Sequence, residues 1–147
     1  MATLVYIDGL SEPRNPGVGT FGYVIYEDGK KVDEKGEFIG EEVSNNYAEY
    51  SALASALKRL LDLGLAKDVT VKSDSKLLVS QMKGEWKVKG GGYLEKYKDA
   101  LNLSKMFRNL TFEWIPREKN EEADVLSRIA YEEYVRSKGK QQHHSTG

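Results

Sequence analysis

Asp8, Glu49, Asp74 and Asp124 stand where a solvated charge should not. Asp8 closes the almost unbroken apolar run Ala2–Ile7, and Asp74 comes soon after the apolar stretch Val69–Val71. Glu49 precedes Ala52, Leu53 and Ala56 by three, four and seven residues. In a helix that spacing puts its carboxylate on their apolar stripe. Asp124 sits between Ala123 and Val125 in a segment that reads as a helix start. Brought together, such groups are costly. Two carboxylates about 5 Å apart repel by roughly 3 kcal/mol at an effective dielectric of ~20, and each raises the pKa of the other. A divalent cation reverses the sign. Mg²⁺ takes hard oxygen ligands and keeps several waters. Two such ions about 3.5–4 Å apart can activate a water and stabilise the oxygen that leaves a phosphodiester. With no cysteine and only two histidines, His143 and His144, the chain lacks the ligand set of a zinc site.

Each acid also has a plainer reading. Asp8 could simply terminate a strand, and Asp74 could cap the helix that follows. A small rotation of its helix would turn Glu49 out of the core. Asp124 could be a first-turn partner of the helix dipole. Spacing alone leaves an acidic metal site and four unrelated carboxylates both open.

The elements that must position these groups follow from periodicity. Ala2–Ile7 reads as a central strand buried on both faces. Ser11–Gly19, with two prolines and two glycines, reads as a loop, and Phe21–Tyr26 as a second strand. Asp28-Gly29 is a hairpin signal, followed by a weaker strand over Lys31–Ile39. From Asn46 to Leu63 the period becomes helical, with Ala52, Leu53, Ala56, Leu57, Leu60 and Leu61 on one stripe. Ser44 or Asn45 suits the start of that helix, and Gly64 its end. A fourth strand begins at Val69–Val71, and Ser75–Met82 is a short helix. The polar loop Gly84–Gly92 and a helix over Tyr93–Phe107 follow. Leu110–Ile115 is a fifth strand, and Asn120 caps a last helix running to about Arg136. The order β-β-β-α-β-α-α-β-α predicts an α/β fold, a mixed five-stranded sheet flanked by helices. Residues 1–137 are expected to form one domain and 138–147 a disordered polar tail, in which His143 and His144 lie.

Bulk properties exclude more than they suggest. The chain has 147 residues, 39% of them hydrophobic and 31% charged, and a net charge of −1. That balance fits one soluble domain and gives no whole-molecule field for nucleic acid. No apolar run approaches the ~20 residues that cross a bilayer, and no secretory signal opens the chain. The absence of cysteine removes disulfides and thiol nucleophiles and favours a cytoplasmic location.

The segments carrying the four acids also form a family pattern. Tyr6-Ile7-Asp8-Gly9, then Asn15-Pro16-Gly17-Val18-Gly19 and Gly22, resembles the first strand and loop of type 1 ribonucleases H. Ser44-Asn45-Asn46-Tyr47-Ala48-Glu49 is similar to the segment opening that family's first helix, and Ser73-Asp74-Ser75 to the step after its fourth strand. The stretch from Trp114 to Asp124 resembles the strand-loop-helix that ends in its fourth acid. The resemblance runs in order from Thr3 to Arg136. It implies a ribonuclease H-like fold and endonucleolytic cleavage of the RNA strand of RNA–DNA hybrids, leaving 5′-phosphate and 3′-hydroxyl ends. It further implies two Mg²⁺ ions, with Mn²⁺ as an alternative, held by Asp8, Glu49, Asp74 and Asp124. Asn15, Asn45 and Asn46 match positions that read 2′-hydroxyls, for which short amides are suited because they both donate and accept. Asn45 is open to the simpler role of helix cap. Ser44 is expected to help hold a phosphate of the DNA strand. Lys83, Trp86, Lys87 and Lys89 form a basic and aromatic patch for the DNA backbone, or a solvated lysine face around one packed Trp.

The chain departs from the pattern in three places. Many bacterial members carry a His in the loop before the fourth acid, and this loop carries Arg117 instead. An arginine stays protonated, so Arg117 can position a phosphate but is a poor base. Its alternative is a surface ion pair with Glu118 or Glu121. The basic protrusion of some members is reduced to Lys83–Gly92, and the first loop carries Leu10-Ser11-Glu12. Two rivals remain: a DNA nuclease on the same fold, which fold alone does not separate, and a hybrid-binding module without catalysis. A monomer is expected.

Overall fold

The computed structural model of the chain describes residues 2–146, with side chains through Gly139. The strands are β1 (Thr3–Glu12), β2 (Gly17–Glu27), β3 (Lys30–Val43), β4 (Asp68–Ser73) and β5 (Asn109–Trp114). The helices are α1 (Asn45–Asp62), α2 (Lys76–Met82), α3 (Leu94–Ser104) and α4 (Glu121–Thr146), with a 3-10 turn at Arg117–Lys119. The five strands make one sheet in the order β3-β2-β1-β4-β5. β1, β2 and β3 form the expected antiparallel meander, while β4 and β5 run parallel to β1. The α/β class and the element order therefore agree with the sequence.

Strand alternation sorts the two faces. Val5, Ile7, Phe21, Tyr23, Ile25, Val69 and Val71 point to one side, where they pack with Leu53, Ala56, Leu57 and Leu60 of α1. α4 covers the opposite side. There the Thr20 hydroxyl donates to the Ser127 carbonyl at 2.8 Å. A Cβ on Gly22 would stand 2.9 Å from Leu126 Cβ, and one on Gly36 3.1 Å from the Leu126 carbonyl carbon. Those glycines let α4 lie against bare strand backbone. The β2–β3 turn places Asp28 at φ 49° and Gly29 at φ 83°, as a tight hairpin requires.

Strand ends differ from expectation. β1 runs on to Glu12 and β2 starts at Gly17, paired as far as Glu12↔Val18, so the expected loop Ser11–Gly19 shrinks. β3 continues past Ile39 to Val43. These extensions are held by backbone pairing between neighbours, which leaves no apolar signature. α4 also continues beyond the expected stop near Arg136, and Lys138 is docked on Glu41 at 2.7 Å. The side chains from residue 140 on, those of His143 and His144 in the expected tail among them, lie outside the described residues. Among the described residues no helix is long and apolar enough to cross a membrane.

Candidate active site

The site forms where β4 stops and β1 does not. The last β1–β4 pair is Ile7↔Ser73, so Asp8 and Asp74 are the next residues on two adjacent parallel strands. The carboxyl ends of such strands are where open α/β sheets bind ligands. α1 adds the third acid. The Ser44 hydroxyl accepts from Tyr47 N at 3.1 Å and caps the helix. Gly9 lets the first turn of α1 come down on β1, since a Cβ there would lie 2.8 Å from Glu49 Cα. The Gly9 N–H donates to Glu49 Oε2 at 3.1 Å. Carboxylate oxygens of Asp8, Glu49 and Asp74 thus lie within 4.8 Å of one another. They line a cleft of about 530 Å³ with Asn45, Asn46, Arg117 and Asp124.

Burial makes this trio hard to ionise. Asp8 is 6% exposed and Glu49 8%. Desolvation, then the charges of Asp74 and Asp124, push the Asp8 carboxyl up to about 8, against a downward pull from the Ser127 hydroxyl. Glu49 is driven well above the usual carboxylate range by burial and then by Asp8 and Asp74. Asp74 is raised by burial, while the Asn120 amide and the Arg117 guanidinium hold it down. None of the three has a salt-bridge partner among the described residues; Asp124 has one, Arg128 Nε at 3.3 Å. Hard oxygen donors, two of them buried and none in a salt bridge, with the Arg117 charge acting on Asp74, suit a divalent metal ion.

The structure therefore gathers three of the four expected acids tightly and sets the fourth against Asp8 on the same cleft, paired also with Arg128. Ser75, not Asp74, caps α2, its hydroxyl accepting from Leu78 N at 3.2 Å, which removes the capping alternative for Asp74. The small rotation that would free Glu49 from the core does not occur. Asn15 Oδ1 accepts from Asn45 N at 3.0 Å, which ties the first loop to the start of α1. Ser44 spends its hydroxyl on the cap. Arg117 is exposed on the cleft wall. Lys83, Trp86, Lys87 and Lys89 are all exposed and line no part of the acidic cleft; they follow α2 at its far end.

Four further residues support the site. Asn120, expected as a helix cap, is fully buried, and its Nδ2 donates to the Ile7 carbonyl at 2.8 Å. The Ser127 hydroxyl lies 3.3 Å from Asp8 Oδ2. Arg128 is one helical turn past Asp124 on the cleft wall, a spacing readable in the sequence. Trp114 is exposed on the same wall.

A family model described as reverse transcriptase-like matches residues 7–130. A Mycobacterium tuberculosis protein described as bifunctional is 37% identical over 139 residues, which cover 93% of this chain and 37% of that protein. Its N-terminal RNase H domain, solved as a maltose-binding-protein fusion, superposes with a TM-score of 0.85 over 92% of this chain and 97% of that one. Ribonuclease HI of Halobacterium salinarum is 36% identical over 129 residues, covering 87% of this chain and 63% of the relative. The chain thus spans less than two thirds of these two relatives. LC11-RNase H1, solved with an RNA/DNA hybrid, is 36% identical, with a TM-score of 0.84 over 90% of this chain and 99% of that one. Sequence, fold and family model agree, and the chain belongs to the type 1 ribonuclease H family.

Proposed function

We propose that this chain is a metal-dependent endonuclease that hydrolyses the RNA strand of RNA–DNA hybrids. The observation that carries this reading is the trio Asp8, Glu49 and Asp74, brought within 4.8 Å from three separate chain segments. The hybrid-bound relative supports the substrate. Asp8, Glu49 and Asp74 hold divalent cations, and Asp124 joins them by leaving Arg128. Two Mg²⁺ ions, with Mn²⁺ as a substitute, would supply an activated water and a charge sink for the leaving 3′ oxygen. Ends of the 5′-phosphate and 3′-hydroxyl type go with that chemistry.

The surrounding residues bind and orient. Asn46 and the exposed Asn45 stand on the cleft rim, where their amides read 2′-hydroxyls across the wide minor groove of an A-form-like strand. Asn15 acts through its bond to the Asn45 backbone. Arg117 holds a phosphate rather than a proton, since its guanidinium stays charged. Lys83, Trp86, Lys87 and Lys89 carry the DNA backbone beyond the cleft, and Ser44, which caps α1, has a lesser share in phosphate binding. A monomeric, cytoplasmic domain over residues 1–137 completes this reading.

The test is cleavage of an end-labelled RNA annealed to DNA with Mg²⁺, Mn²⁺ or EDTA, beside single-stranded RNA, duplex RNA and duplex DNA. Metal-dependent cutting of the hybrid, lost in Asp8→Asn, is expected. Cutting of duplex DNA instead would transfer the chain to the DNA-nuclease reading. Hybrid binding without cutting in either metal would leave only a binding module.

A further inference from the structure

Trp114 is 47% exposed yet firmly held. It closes β5 in register with Ser73, which places it beside Asp74 at the sheet edge. Its Nε1–H donates to the Asp74 carbonyl at 3.2 Å. Lys76, in the first turn of α2, brings its ammonium 5.8 Å from the ring centroid. The same strand buries Phe112 two residues earlier, at 9% exposure, so the indole is left in water at the one point where β5 reaches the acidic cleft.

An indole anchored by its one polar edge presents a flat apolar face to whatever enters the cleft. In a paired hybrid the bases are stacked on each other, and unstacking one is costly. The strand next to the carboxylates therefore offers its sugars and phosphates. A lysine is a mobile point charge, free to pass from a ring to a phosphate.

We propose that Trp114 packs against the ribose of the RNA-strand nucleotide beside the cleaved bond, and that Lys76 neutralises the phosphate adjoining that ribose. The assignment rests on the cleft being the hybrid-cutting site. It makes Trp114 and Lys76 a subsite apart from the exposed patch around Trp86, on the opposite end of α2.

Binding of a labelled hybrid in EDTA, read by fluorescence anisotropy across a salt series, tests the subsite without catalysis. Lys76→Gln should flatten the slope of log K against log salt by about 0.9, the share of one phosphate contact. Trp114→Leu should weaken binding about tenfold with the slope unchanged, while Trp114→Phe, which keeps a flat ring, stays close to wild type. In Mg²⁺, Trp114→Leu should raise KM by a larger factor than it lowers kcat. An unchanged slope in Lys76→Gln, or equal losses in Trp114→Phe and Trp114→Leu, would overturn the proposal, the latter because it would make the indole N–H an anchor for Asp74 and nothing more. If the wild-type protein cuts no hybrid while these binding effects appear, the activity reading fails, and with it the place beside a cleaved bond, and Trp114 and Lys76 remain as a contact for bound hybrid.

Discussion

Gly9 and Glu49 meet backbone to backbone. A Cβ on Gly9 would fall 2.8 Å from Glu49 Cα and closer still to Glu49 N, and the Gly9 N–H is bonded to the Glu49 carboxylate. Neither strand nor helix backbone can yield locally. Gly9→Ala should therefore displace the start of α1, destabilise the fold by about 1–3 kcal/mol and cost at least about a hundredfold in hybrid cleavage, as a 1 Å misplacement does. Thermal melts and steady-state kinetics on the same preparation check both. Full activity in a folded Gly9→Ala variant would refute the close-approach account.

The buried trio sets the pH response of the metal-free protein. Asp8 has an ordinary pKa of 3.8 and is pushed up to about 8 in the fold. Between those values the folded chain keeps a proton that the unfolded chain releases. Stability in EDTA should fall as pH rises through that window, by up to roughly 1.4 kcal/mol per pH unit for one such group, with Glu49 and Asp74 acting in the same direction. Asp8→Asn should raise the metal-free Tm at pH 8 by about 5 °C, and the gain should vanish near pH 4. A wild-type Tm that climbs from pH 5 to pH 8 in EDTA would contradict the site's electrostatics.

Metal should reverse that loss. A cation binds only deprotonated carboxylates, so the rise in Tm on adding Mg²⁺ is expected to be larger at pH 8 than at pH 6. Calorimetry in buffers of different ionisation heat should show proton release on binding at pH 7. No proton release would mean that Asp8 and Glu49 are already ionised in the metal-free chain.

Asp124 should behave differently from Asp8. Its carboxylate is paired with Arg128 and stands against Asp8 at the edge of the trio. Asp124→Asn is expected to abolish cleavage and to raise the metal-free Tm less than Asp8→Asn does, because it removes one charge that pushes Asp8 up together with a partly exposed ion pair worth about 0–1 kcal/mol. Equal stabilisation by Asp124→Asn and Asp8→Asn would place all four acids in one cluster.

Asn120 joins the strand ends to α4. Asn120→Ala leaves the Ile7 carbonyl without its donor in a fully buried position, which should cost about 1–3 kcal/mol. It also removes the amide that holds the pKa of Asp74 down. Lower Tm together with weaker Mg²⁺ binding is the expected pair of effects, and a drop in Tm alone would confine Asn120 to packing.

What could be read in advance was what depends on neighbours in the chain. Ser44 as a cap and Asp28-Gly29 as a turn are local choices of hydrogen bonding and φ, and both stand as expected. The acids stood out because each interrupts an apolar period, and the sheet explains three of the four interruptions at once. Asn120 stands at the expected helix start, its carbonyl accepting from Asp124 N, but its side chain was not foreseen because it bonds Ile7, 113 residues away. The two tryptophans look alike in sequence, yet only Trp114 stands on the cleft, a difference made by where β5 ends.

Gly22 and Gly36 leave nothing but backbone between α4 and the strands beneath it. The separation of helix and sheet at these two points is then at its minimum, with no side chain there to act as a spacer or a cushion. At these two points α4 cannot settle lower, while any larger residue at either position lifts it, and the bonds from Thr20 to Ser127 and from Asn120 to Ile7 fix it lengthwise. Asp124 rides on the first turns of that helix, and Gly22 is the cross-strand neighbour of Asp8. Two residues without chemistry of their own thus act as the gauge that sets how near the fourth carboxylate can come to the other three.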